Sequence, residues 1–224
     1  MKKRWWHTSR LTALAIALAA SAALAGGAAK DTNDSAPMAP EASCLCLWQG
    51  GFADVQATTD LVATVTVVQG KGNSLDLTVD TILRGREYNE TIRLWLQARD
   101  YCRPEAELFP AGSRWVMALQ RITDTVPGGF DPLTPNISYG RIGDYTLSSC
   151  GGYWLQLHDG RVTGNLVDAP RWEHEPKMTP VLLELLSAYI RGEVSREALQ
   201  EASREDPALR ELMLDTSEFL RDVR

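Results

Sequence analysis

The sequence predicts a mainly β domain that ends in a small α-helical appendage. Two observations carry this reading. From Cys44 to about Leu166, short apolar–polar alternations are separated by Gly, Pro and Asp at close intervals, the pattern of many short strands. After Trp172 the apolar period lengthens, with Leu182, Leu185, Leu186 and Tyr189 at helical spacing, as one buried helix face requires. A third observation concerns how such a body is held together. The chain has 4 cysteines, a Cys-x-Cys at Cys44 and Cys46 with Cys102 and Cys150 far downstream.

Residues 1–25 precede this body. Lys2, Lys3, Arg4 and Arg10 are followed by the Ala-rich apolar stretch Leu11 to Ala25, which closes on Ala23-Leu24-Ala25. That is the layout of a secretory signal peptide cleaved after Ala25, and the stretch is shorter than the ~20 residues of a membrane-spanning helix. The expected location is periplasmic or secreted, with no membrane span in the mature chain. Residues 26–43 hold Ala, Gly, Asp, Asn, Ser and Pro and little to bury, so they read as a flexible linker. Without the four signal-peptide cations, 19 of the 23 basic residues remain against 29 acidic ones, a net charge of −10. Such a charge repels phosphate backbones and anionic lipid, and excludes nucleic acid as an expected partner.

Residues 44–170 read as the β domain. Leu61 to Val68 is rich in β-branched residues and leads into the turn Gln69 to Asn73. Leu75, Leu77 and Val79 alternate with Asp76, Thr78 and Asp80, and Ile82-Leu83 breaks the alternation, which predicts a bulge before Arg84-Gly85. Ile92, Leu94 and Leu96 mark a third strand, Trp115 to Leu119 a fourth, and Tyr145 to Ser148 a fifth. Tyr153 to His158 and Arg161 to Gly164 flank Asp159-Gly160, whose residue types suit a type I′ hairpin. Residues 171–224 form the helical segment. Thr179-Pro180 predicts a cap and first turn, Gly192 a stop, Ser195 the cap of a second helix to about Ser203, and Asp206-Pro207 a third start.

Four cysteines allow three pairings. A bond between Cys44 and Cys46 would close a strained ring, which leaves each of them joined to one distant cysteine in either of two ways. Zinc sites usually pair close cysteines in both halves, whereas Cys102 and Cys150 stand apart; disulfides are expected, with no metal and no cofactor.

The order Cys44-Leu45-Cys46, Phe52-Ala53-Asp54, Thr81-Ile82-Leu83-Arg84-Gly85, Tyr101-Cys102, Ala111-Gly112-Ser113-Arg114-Trp115-Val116-Met117 and Leu147-Ser148-Ser149-Cys150 resembles the netrin-like module of the tissue inhibitors of metalloproteinases. The resemblance covers roughly Cys44 to Leu157. It implies a five-stranded OB-fold-like barrel, with Cys44 bonded to Cys102 and Cys46 to Cys150. It also implies a contact ridge of Leu45, Leu47, Trp48, Tyr101 and Arg103 for a protein partner. In that family a free N-terminal cysteine chelates the protease zinc. Here Ser43 precedes Cys44 in peptide linkage, so a second cleavage would be needed to free that nitrogen.

No Gly-x-Ser-x-Gly, phosphate-binding glycine loop or His-Glu-x-x-His occurs. His158 adjoins a hairpin, Trp172-Glu173-His174-Glu175-Pro176 reads as solvated charge, and Asp76 and Asp80 fall on a wet strand face. Trp48, Trp95, Trp115, Trp154 and Trp172 read as packing residues, or as a partner or glycan surface around Trp95. The expectation is an exported, disulfide-stapled, non-enzymatic binding module whose partner is a protease or envelope protein. An exported hydrolase and a glycan-binding OB module are the alternatives.

Overall fold

The computed structural model describes residues 44–98, 101–126, 139–168, 178–206 and Ala208. The expectations for residues 1–43, for Trp172 and His174, and for a helix after Asp206-Pro207 lie outside them. Among the described residues the strands are β1 (Leu61–Lys71), β2 (Ser74–Arg84), β3 (Thr91–Trp95), β4 (Arg114–Arg121), β5 (Tyr145–Thr146), β6 (Trp154–His158), β7 (Arg161–Gly164) and β8 (Val181–Leu182). The helices are α1 (Phe52–Val55), α2 (Leu183–Ile190) and α3 (Arg196–Ser203).

Strands β1, β2, β3, β5 and β4 follow one another around the sheet, and β4 pairs back onto β1, closing a five-stranded barrel. The β3–β5 pair is parallel and the other pairs are antiparallel. This is the expected OB-fold-like barrel. Closure needs tight curvature, and β1–β2 obtains it from three irregularities. Leu83 is extra between the partners of Val62 and Ala63, Asp80 between those of Thr64 and Val65, and Val68 between those of Leu77 and Asp76. An extra residue on one strand of a pair bends it and raises its twist. Immediately beyond, Gly85 has φ +92° and a Cβ there would lie 2.2 Å from the Asp60 carbonyl oxygen, so only glycine lets the chain leave β2 against the start of β1.

The barrel interior is filled by Leu61, Ala63, Val65 and Val67 of β1, Leu75 and Leu77 of β2, Trp115, Met117 and Leu119 of β4, with Phe109 and Tyr145. A second core lies on the other face of the same strands. Val62, Val116 and Ala118 point outward there and meet Phe52, Leu155, Val162, Val181, Leu186 and Leu199. Strands β1 and β4 are therefore buried on both faces, which explains the near-continuous apolar runs at Leu61–Val65, broken only by buried Thr64, and Trp115–Leu119.

The helical appendage is the cover of that second core. Tyr189 donates its hydroxyl to the Ala53 carbonyl at 3.1 Å, and Arg196 bridges Asp54 and Asp168 at 2.5 and 2.8 Å. Ser195 caps α3 and Gly192, at φ +77°, closes α2, both as expected. The expected start at Thr179-Pro180 is corrected. Val181 and Leu182 pair with β7, and the Leu183 N–H donates to the Gly160 carbonyl at 2.9 Å, so the helix begins only at Leu183. The turn expected over Gln69 to Asn73 is also shorter, because Lys71 still pairs with Ser74. Asp159 and Gly160 take φ +47° and +71°, as a type I′ turn needs.

Candidate functional site

The Cys-x-Cys segment is extended, so alternate side chains face opposite ways. Cys44, Cys46 and Trp48 turn toward the barrel, while Leu45 and Leu47 turn outward and are 90% and 84% exposed. Cys44 is bonded to Cys102 and Cys46 to Cys150, with Cα separations of 5.1 and 5.9 Å, the pairing that the resemblance implied. The body is a disulfide-stapled barrel.

Cys150 reaches this place through a local excursion. Seven residues separate Thr146 from Trp154, yet only Ala118 and Leu119 separate their β4 partners, Gln120 and Met117. The five extra residues leave the sheet between β5 and β6 and carry Cys150 outward. Backbone bonds hold the assembly independently of sulfur: Gln49 donates to Cys150 at 2.8 Å, Gly152 to Gly50 at 2.9 Å, and Ser149 to Cys102 at 2.9 Å. All four sulfurs lie within 4.8 Å of one another.

The expected ridge residues come together here at different depths. Leu45 and Leu47 are outermost, Trp48 and Tyr101 are half-buried, and Arg103 is only 9% exposed. Arg103 thus lies behind the surface. Its Nη1 donates to the Tyr139 carbonyl at 2.7 Å, and its guanidinium stacks 4.5 Å from the Tyr101 ring centre, itself 5.4 Å from the Tyr139 ring. Burial pulls its pKa below the ordinary guanidinium value, and Tyr101 opposes that shift.

A second feature is a cleft of about 340 Å³ lined by Asp76, Glu87, Asn89, Thr91, Ile92, Arg93, Arg141, Gly143 and Asp144. Glu87 anchors a polar network beside it. The Glu87 side chain, only 3% exposed, accepts from the Tyr145 hydroxyl at 2.5 Å, Arg121 at 2.8 Å, and the Tyr88 and Asn89 backbone at 2.8 and 2.9 Å. Burial works to raise its pKa, but the bonds from Tyr145, Asn89, Tyr88 and Arg121 together outweigh it and hold it at about 2. Burial and Glu87 push the Tyr145 phenol up. A carboxylate so fully satisfied is a poor proton acceptor at neutral pH, so the network positions the β2–β3 loop. Asp76 pairs with Arg93 at 2.7 Å and accepts from Gln69 at 2.9 Å.

Trp95 is buried, as the packing reading expected, and its Nε1 donates to Asp144 at 2.8 Å, so the alternative of a partner or glycan surface around it is not met. Trp115 and Trp154 both meet Phe109 edge-to-face in the barrel. His158 is an exposed strand end whose Nδ1 lies 3.1 Å from Asp159. The Glu87 network escapes sequence reasoning because its partners lie 34 and 58 residues away. Among the described residues no helix is long and apolar enough to cross a membrane.

Comparison of the chain with protein-family models, curated proteins and solved structures finds no match.

Proposed function

We propose that the protein is an exported, non-enzymatic binding module that holds a protein partner on the ridge around its Cys-x-Cys segment, in the manner of the netrin-like inhibitors it resembles. The observation that carries this reading is the exposure of Leu45 and Leu47 on a backbone pinned by two bridges. Two large apolar side chains held outward cost little ordering entropy on contact, because the disulfides have already restricted the chain. Tyr101 and half-buried Trp48 extend the surface. A protease is the specific partner that the resemblance suggests, with an envelope protein as the broader class.

The test is cross-linking of the chain in its native envelope fraction, with a photoreactive residue in place of Leu47 and a control at exposed Leu182. A discrete adduct from position 47 alone is expected. Leu45→Ala with Leu47→Ala should weaken association by ~2 kcal/mol or more, as loss of apolar anchors does, and leave the melting temperature unchanged. Equal labelling at both positions, or full affinity in the double variant, would remove the ridge as the contact surface.

A further inference from the structure

The four sulfurs are joined in pairs, yet their packing allows a second closed arrangement. Tetrahedral zinc–thiolate centres have metal–sulfur bonds of about 2.3 Å, which sets sulfur–sulfur edges of about 3.8 Å. Here every sulfur lies within 4.8 Å of every other, and Cys44 and Cys46, though not bonded to each other, are 3.7 Å apart. Opening the two bonded pairs to such an edge moves each sulfur by only about 1 Å, within reach of small χ1 adjustments. We propose that reduction converts this double disulfide into a tetrathiolate site for a thiophilic divalent cation, zinc being the natural occupant, with Cys44, Cys46, Cys102 and Cys150 as its ligands.

Two further observations support the site. The ligand-bearing segments do not rely on the bridges for their placement. Gln49 is bonded to Cys150, Gly152 to Gly50 and Ser149 to Cys102 through the backbone, so the thiols stay gathered after the sulfur–sulfur bonds open. Cys150 is buried and the residues Cys44, Cys46 and Cys102 are half-buried, so the cluster lies near the surface but is largely shielded from water.

The chemistry balances with a dithiol as the reductant. Each disulfide accepts two electrons and two protons from one dithiol, which leaves as its own disulfide, and yields two thiols. The cation then takes the four thiolates and releases four protons. Metal occupancy and disulfide formation exclude each other, so the same four residues would close the Cys-x-Cys segment onto the barrel under reducing and oxidising conditions alike. This inference does not depend on the proposed binding ridge.

The test uses the full chain, reduced with a phosphine that is then removed anaerobically, and titrated with Co²⁺ as a spectroscopic probe. Saturation at one Co²⁺ per chain is expected, with the visible absorption of a tetrahedral tetrathiolate and its displacement by Zn²⁺. The zinc-loaded chain should melt cooperatively at a higher temperature than the reduced metal-free chain and regain the near-ultraviolet dichroism of the oxidised one. X-ray absorption at the zinc edge should give four sulfur neighbours. Absence of saturable Co²⁺ binding, or a first shell with fewer than four sulfurs, overturns the proposal. So does metal uptake without recovery of cooperative melting, since that is binding by an unfolded chain.

Discussion

Removal of the Cys46–Cys150 bridge, by Cys46→Ser with Cys150→Ala, is expected to destabilise the protein by about 4 kcal/mol. The sequence separation is 104 residues, and a lone loop of that length would contribute about 4.7 kcal/mol on the chain-entropy model. The two loops overlap, however. With Cys44 and Cys102 joined, the shortest path from Cys46 to Cys150 crosses that bridge and spans about 50 residues, which lowers the contribution to about 4 kcal/mol. The same path governs the reciprocal variant, Cys44→Ser with Cys102→Ala. The two pair variants should therefore lose nearly equal stability, although their separations are 58 and 104 residues. Urea denaturation of the oxidised proteins measures this. The midpoint should fall in both, and the slope should rise because a less cross-linked unfolded chain exposes more surface. A loss below about 1 kcal/mol in either variant would refute the staple argument, since the unfolded chain would then gain little freedom from loss of the bridge.

Further outcomes follow from other parts of the molecule. Glu87 is held at about 2 against an ordinary value of 4.5, so its ionised form contributes stability that is fully present above pH 4.5 and is lost as the pH falls toward 2. Glu87→Gln should flatten that acid limb in a pH series of melting curves, and parallel limbs would show that the network does not carry it. Gly85→Ala places a methyl group against the Asp60 carbonyl at a positive φ and should cost more than about 2 kcal/mol by thermal or urea unfolding; a neutral outcome would mean that the β2 exit is free to relax. Leu186 has no exposed surface in the second core, and Leu186→Ala should cost about 3 kcal/mol with amide exchange accelerated in α2 and α3 ahead of the barrel. Uniform exchange would make the appendage and barrel one cooperative unit.

Several elements were legible because their signal is local. The β-rich body, the type I′ hairpin, the cap at Ser195 and the bulge near Leu83 each rest on residues close in sequence, where backbone preference and periodicity act. The β-branched run from Leu61 and the apolar run Trp115–Leu119 announced strands. That both faces of these strands are buried, and which elements cover the second, was not read from those runs. The helix start at Thr179-Pro180 failed for a related reason: a cap and proline set a local preference, and pairing of Val181 with Val162 overrode it.

The chain by itself determined the strand content and the helical period. Tertiary structure decided the rest. It placed Arg103 behind the ridge, covered Trp95 with Asp144, assembled Glu87 with Tyr145 and Arg121, and drew four sulfurs to within 4.8 Å. These are contacts between residues tens of positions apart, and their geometry depends on barrel closure and on the five-residue excursion that carries Cys150. Local periodicity records which face a residue prefers, but only the closed chain determines what that face meets.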